Sequence, residues 1–209
     1  MSRALHKGSW ILLLWLGVGG AASAAAIGEP ERTARIGYGI SVANIDVEDP
    51  DGSVDAKTGV FPFNFIYTDR VTGSFRYWAE GFYQSLTDSD RFEASFPDTI
   101  GQDMERYGLR FSLQRQLDFI PVIDVWGGAG FFASHDSFTH RHRVDEEGLR
   151  FAGSDLPDQE SNVLGLQFDL TAEWQLGLDW DLAGRLLYGV PFGDGAEEFS
   201  ALLGVLYTY

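Results

Sequence analysis

Three of the four histidines lie in one stretch near the middle of the chain, beside other residues that could do chemistry. Ser134, His135 and Asp136 are adjacent, and His140 and His142 follow. Imidazole binds zinc and copper, but the H-x-x-x-x-H-x-H spacing matches no recognised metal cage. A catalytic triad requires convergence in space rather than adjacency in sequence. We therefore expect a solvated polar loop with no catalytic residue and no metal ligand.

Carboxylates in two other polar segments form a second set of candidate ligands. They are Asp46, Glu48, Asp49, Asp51 and Asp55 in the first segment, and Asp88, Asp90 and Glu93 in the second. Carboxylate oxygens suit Ca²⁺, and the stretch from Asp49 to Asp55 is similar to part of a calcium loop. The bidentate Glu that closes an EF-hand loop is missing, however. We expect a solvated acidic surface that binds cations only loosely.

The composition narrows the classes of function. Asp and Glu number 31 against 15 Lys and Arg, which gives a net charge of −16. A chain this acidic repels the phosphate backbone, so we expect no nucleic-acid partner. The sequence contains no cysteine, which excludes disulfides, thiolate metal sites, a cysteine nucleophile and a lipid anchor on cysteine.

The first 26 residues have the order of a secretory signal peptide. Arg3 and Lys7 precede an apolar run over residues 10–18, and small residues follow from Ala22 to Ala26. The apolar run is much shorter than the roughly 20 residues of a spanning helix, so cleavage is favoured over anchoring. Cleavage after Ala24 and cleavage after Ala26 both fit. We expect residues 1–26 to be removed and residues 27–209 to form one domain.

Alternation of apolar and polar residues dominates the rest of the chain. In the most regular run, even positions from Leu164 to Trp174 are apolar and the odd positions between them are polar or glycine. The second run places Phe61 and Phe63 on one apolar face. Eight runs of this kind, each of about ten residues, match tilted strands that cross a membrane. They cover residues 35–42, 61–68, 75–84, 106–114, 123–131, 164–175, 180–190 and 199–209.

The connections between these runs alternate in length. Long segments, 46–58, 85–103 and 134–161, follow the first, third and fifth runs, whereas short ones, 69–73, 115–121 and 176–179, follow the second, fourth and sixth. Outer-membrane barrels combine short periplasmic turns with long external loops. Because lipid offers no hydrogen bonds, spanning strands must close into a barrel. The sequence therefore predicts an all-β fold, an eight-stranded antiparallel up-and-down transmembrane barrel with both termini in the periplasm.

The last run, Phe199 to Tyr209, and the segment from Val125 to Phe132 resemble the small outer-membrane barrels of the OmpA transmembrane-domain, OmpX and OmpW group. The resemblance is one of pattern and covers residues 27–209. It implies an exported protein of a Gram-negative outer membrane, without cofactors, in contact with outer-membrane lipid and lipopolysaccharide. An unidentified surface or periplasmic partner is also expected. It further implies that the barrel-assembly machinery reads a terminal signal made of Leu203, Val205, Tyr207 and Tyr209.

The inward face of the barrel is predicted to carry a balanced set of charges. These residues are Arg76, Glu80, Arg106, Arg110, Asp124, Asp169, Glu173 and Arg185. Unpaired charges are costly in a narrow lumen, so four bases and four acids favour a plug of salt bridges over an ion path. Trp78, Phe82 and Trp126 also point inward and would block a pore. We expect a structural or surface-interaction role rather than an enzyme. The alternatives are a lipid A-modifying enzyme, as some small outer-membrane barrels are, and a narrow channel.

Overall fold

The computed structural model describes residues 34–49, 52–53, 57–86, 100–117, 123–145, 149–193 and 195–209. Within these ranges the chain forms ten antiparallel strands and no helix that is long and apolar enough to cross a membrane. The strands are β1 (Arg35–Asp49), β2 (Gly52–Ser53), β3 (Lys57–Thr72), β4 (Phe75–Leu86), β5 (Ile100–Gln116), β6 (Asp124–Val144), β7 (Arg150–Asp155), β8 (Gln159–Gln175), β9 (Trp180–Pro191) and β10 (Ala196–Thr208). The predicted signal peptide lies outside the described residues.

Eight of the strands close into a barrel, as predicted. Each long strand pairs with the next along the chain, and β1 pairs with β10 from Arg35–Thr208 to Val47–Ala196. Closure leaves no free edge among these strands. The short strands β2 and β7 are additions, paired with β1 and β6. The barrel has a turn end, with the connections at residues 73–74 and 176–179, and a loop end, with β2 and β7.

At the loop end the strands are longer than predicted. The prediction that residues 134–161 form a loop is wrong. There β6 stays paired with β5 as far as Ile100–Arg143 and with β8 as far as Phe138–Gln159. The segment is therefore two long strands with β7 between them. The other two expected loops also shrink, because β1 continues to Asp49 and β5 begins at Ile100.

The two faces of the barrel wall exchange character near the loop end. On β5, Leu109 and Tyr107 are exposed outside, and Arg110 and Arg106 are buried inside. Closer to the loop end on the same strand, Met104 is buried inside, and Glu105 is exposed outside. An apolar cluster therefore fills the loop end of the barrel. Its members are Ala43, Ile45, Val47, Phe61, Met104, Phe138 and Ala196.

A bulge in β3 corrects the predicted position of Phe61. Between the pairs Gly39–Asn64 and Ser41–Phe61, β3 advances by one residue more than β1. The extra residue turns Phe61 inward, where it is 1% exposed, whereas Phe63 stays outside. A bulge of this kind reverses the facing of every residue beyond it.

Inside the barrel, the ring of Phe132 lies against two glycines of neighbouring strands. A Cβ at Gly165 would come within 2.3 Å of the Phe132 ring, and a Cβ at Gly189 within 3.4 Å. Gly165 thus makes room for a large side chain that fills the lumen.

Gly165→Ala should destabilise the barrel by about 1–3 kcal/mol, because the new Cβ would overlap both the Phe132 ring and the backbone oxygen of Val190. Urea unfolding in lipid vesicles measures the change. Gly81→Ala is the matched control, since its Cβ would meet only Leu109, at 3.8 Å. Equal unfolding midpoints for the two variants would contradict this account of the packing.

Candidate functional site

The polar network inside the barrel is the candidate site. Seven of the eight predicted lumen residues are buried there, and Asp124 is not. Asp124 begins β6 at the turn end, where its exposed carboxylate accepts a hydrogen bond from Gln116 at 3.1 Å. The first position of a strand lies at the mouth of the barrel, so Asp124 belongs to the rim rather than to the network.

The tier nearest the turn end is centred on Glu173 of β8. Arg35 donates to Glu173 at 2.9 Å and to Asp181 at 3.0 Å. Arg76, from β4, donates to the other oxygen of Glu173 at 2.6 Å and to Gln114 at 2.6 Å. Each carboxylate oxygen of Glu173 thus faces one guanidinium, which offsets the cost of removing these charges from water.

Glu80 of β4 organises the middle tier. Its two oxygens accept hydrogen bonds from Arg110 at 2.7 Å and from Arg185 at 2.5 Å. Arg185 also donates to Asp169 at 3.0 Å. Ser112 donates to Asp169 in turn, so the charges are joined to neutral hydrogen-bonding groups of β5.

Glu198 of β10 organises the third tier. Arg110 donates to it at 2.5 Å and Arg106 at 3.3 Å. Arg106 is also 3.0 Å from Asp136, and Gln84 donates to Glu198 at 3.2 Å. Arg110 thereby links the second and third tiers.

Aromatic rings occupy the space between these tiers. The guanidinium carbon of Arg76 lies 4.1 Å from the centre of the Trp126 ring, and that of Arg110 lies 3.8 Å from the centre of the Phe82 ring. Trp78, which is fully buried, lies between Arg76 and Arg185. Stacking of this kind adds cation–π attraction to the ion pairs. The inward position predicted for all three rings agrees with the structure.

The buried part of the network is electrically balanced. It joins five arginines to five buried carboxylates, with Asp181 at the turn end in addition. Three of these residues, Arg35, Asp136 and Glu198, were absent from the predicted set. A signal for Glu198 exists in the sequence, because Glu198 has the same parity along β10 as Ser200, a polar residue that alternates with the apolar Phe199 and Ala201. Asp136 was missed because residues 134–161 were predicted to form a loop.

The Ser134–His135–Asp136 stretch is divided between the two faces of β6. Ser134 and Asp136 are buried in the lumen beside Arg106, and His135 faces outward, where its Nδ1 lies 3.1 Å from Asn162 Oδ1. Alternate residues of a strand point to opposite faces, so these three side chains do not form a triad.

The other predicted ligands do not gather into a metal centre. His140 Nδ1 lies 2.9 Å from Asp103 Oδ2, and His142 Nδ1 lies 2.8 Å from the backbone oxygen of His140. Among the described residues, no group of three or more His, Asp or Glu side chains is arranged to hold a metal ion. Most of the carboxylates predicted to form the acidic surface lie outside the residues whose side chains are described.

The four residues of the predicted assembly signal lie on the outer face of β10 or directly after it. Leu203, Val205, Tyr207 and Tyr209 are all exposed. Tyr207 packs against Trp180 of β9, with 4.9 Å between the ring centres. Their role in assembly stays a prediction.

Comparison with solved structures identifies the fold. The Yersinia pestis attachment invasion locus protein Ail has a TM-score of 0.53 and 12% identity, over 86% of this chain and 99% of that chain. Neisserial surface protein A has a TM-score of 0.57 and 12% identity, over 84% and 97%. This chain has the fold of the small eight-stranded outer-membrane barrels. The predicted resemblance to that group is confirmed, although no protein-family model and no curated protein sequence significantly matches the chain.

The Glu198→Gln variant should lose about 3–5 kcal/mol of stability, because Arg106 and Arg110 would be left with an uncompensated buried charge. Urea unfolding in lipid vesicles, followed by tryptophan fluorescence, measures the loss. Glu197→Gln is a matched control, since its exposed side chain faces outward and should change stability by no more than about 0.5 kcal/mol. The tiered network would be refuted by variants that unfold at the same urea concentration.

Proposed function

We propose that the protein is a structural or surface-interaction barrel of a Gram-negative outer membrane, with a lumen closed to solutes. The observation that carries this proposal is the set of ion pairs across the lumen. Arg185 of β9 bonds Glu80 of β4, and Arg110 of β5 bonds Glu198 of β10. In each pair, the two strands stand opposite one another in the closed order of eight. Pairs of this kind, stacked with aromatic rings, close the lumen at several levels.

The outer wall supports a place in a membrane. Between the two barrel ends the outward side chains are apolar, and aromatic residues lie near both limits of this band. Trp180 and Tyr207 are in contact near the turn end, as are Tyr83 and Phe63 nearer the loop end. Aromatic girdles of this kind flank the lipid-facing band of outer-membrane barrels. Outer-membrane lipid and the barrel-assembly machinery are the partners that this arrangement favours, with an assembly signal made of Leu203, Val205, Tyr207 and Tyr209.

The loop end offers the surface for an external partner. We define the β6–β7 arm as residues 139–145 and 149–155. It exposes Leu149 and Phe151, at 41% and 45%, beside the exposed Arg150–Asp155 ion pair. Exposed apolar side chains next to charges suit contact with another molecule better than they suit water. The arm is therefore the proposed interaction surface.

A sealed lumen should give no current steps when the purified, folded protein is added to a planar lipid bilayer. The double variant Trp78→Ala/Phe82→Ala removes two rings that fill the lumen and should produce current steps. The outward double variant Phe65→Ala/Phe111→Ala should remain silent. Heat-modifiable mobility on a gel verifies that each variant is folded. Regular steps from the unmodified protein would overturn the closed lumen and favour the channel.

The orientation can be tested with single cysteines, because the chain has none of its own. Ala152→Cys, in the β6–β7 arm, should react with a membrane-impermeant maleimide on intact cells. Leu178→Cys, which is 95% exposed at the turn end, should react only after the outer membrane is opened. Reaction of the Leu178→Cys variant on intact cells, without that of Ala152→Cys, would reverse the proposed orientation.

A further inference from the structure

A groove crosses the apolar outer wall on strands β3 to β8. At one level of the wall, paired residues alternate between large and small side chains: Phe65, Gly81, Leu109, Ala133 and Leu164. The small residues leave a depression that extends along the strands in both directions. The part towards the turn end has a volume of about 510 Å³, and the part towards the loop end about 690 Å³. Both values lie within the roughly 300–1,000 Å³ of small-molecule sites.

The space above Gly81 is not required by the packing of the barrel. A Cβ at Gly81 would have only Leu109 within 4 Å, at 3.8 Å, whereas a Cβ at Gly165 would collide with Phe132. Glycine weakens a strand, and it is often found where a ligand approaches the backbone closely. Gly81 therefore preserves a depression that the barrel itself does not need.

The groove ends at polar groups on its loop-end side. The ring of Tyr107 lies 5.2 Å from that of His135, and His135 Nδ1 faces Asn162 Oδ1 at 3.1 Å. A neutral imidazole that donates from Nδ1 accepts at Nε2. The next outward residues on the three strands are Glu105, Ser137 and Glu160. The groove is apolar along its length, and polar acceptors lie at its loop-end side. This arrangement matches a lipid, with an acyl chain in the groove and a headgroup at the rim.

We propose that this groove binds one outer-leaflet glycolipid, with an acyl chain over Gly81 and Ala133 and a sugar hydroxyl donating to His135. The inference rests on the proposed place of the barrel in an outer membrane, where lipid surrounds this wall. Glu105 and Glu160, both exposed, repel a bare phosphate at this position. Hydroxyl groups, which donate to imidazole and carboxylate acceptors alike, fit the rim better. Charge thus favours a sugar over a phosphate at this rim, so any phosphate of the glycolipid must lie away from Glu105 and Glu160.

Native mass spectrometry of the folded barrel, purified in mild detergent from outer membranes, tests the groove. The unmodified protein should retain one glycolipid molecule. Ala133→Leu fills the groove and should weaken binding about tenfold, which corresponds to about 1.4 kcal/mol, so that the retained fraction falls. Ala201→Leu is the matched control: it adds the same side chain at an exposed outward position of β10 and should leave retention unchanged. His135→Phe keeps the apolar contact and should remove the preference for glycolipid over phospholipid.

The outcomes separate this site from the proposed function. If the unmodified protein is a heat-modifiable barrel in the outer-membrane fraction but retains no lipid, or retains it equally in Ala133→Leu and Ala201→Leu, the groove assignment is overturned. Retention of phospholipid instead overturns the headgroup assignment. A crosslinked dimer lost only in Ala133→Leu would make a second copy the occupant. A protein that never reaches the membrane overturns the proposed function itself.

Discussion

Closure of the sheet between β1 and β10 is the constraint on which the rest of the structure depends. Thirteen residue pairs join these two strands, so that backbone groups of the barrel strands find partners within the wall. In lipid this is essential, because each unsatisfied backbone group costs several kcal/mol. Closure with only eight strands then fixes a narrow interior that side chains must fill. The buried network and the stacked rings are consequences of that geometry.

A narrow interior lined by charges imposes a second condition, which is neutrality. Glu80, Glu173 and Glu198 each contact two arginines, and Arg110 contacts two of these glutamates. Because partners are shared between opposite walls, removing one charge takes an ion-pair partner from several others. A buried network of this kind is weak evidence for added stability over an apolar core, but breaking it is costly. It makes the filled interior a property of the whole barrel rather than of one residue.

Much of this architecture could be predicted from alternation alone, because a lipid-facing strand must be apolar on one face. The strand count, the closure and seven of the lumen charges follow from that rule. The Phe61 bulge could not be predicted, since one extra residue leaves composition unchanged while it reverses the facing. Glu198 was missed for a different reason: beside Glu197 it reads as part of an acidic loop, although its parity with Ser200 places it inside. The groove is also hidden, because it depends on which strands bring Gly81 and Ala133 to one level.

The exchange of faces on β5 explains why the strands were predicted too short. From Arg110 to Arg106 the inward side is polar, and from Met104 onward the outward side is polar, yet the pleat continues unchanged. The wall is apolar outside from the turn end up to this point, as expected of a lipid-facing wall, whereas the part nearer the loop end is apolar inside, as in a soluble barrel. A strand prediction that looks for one constant apolar face in the sequence therefore ends the strand at this boundary. With the barrel in the proposed outer membrane, this boundary lies at the membrane surface, and the rim at His135 lies beside it on β6. The proposed headgroup site would then lie where the surroundings change from lipid to water.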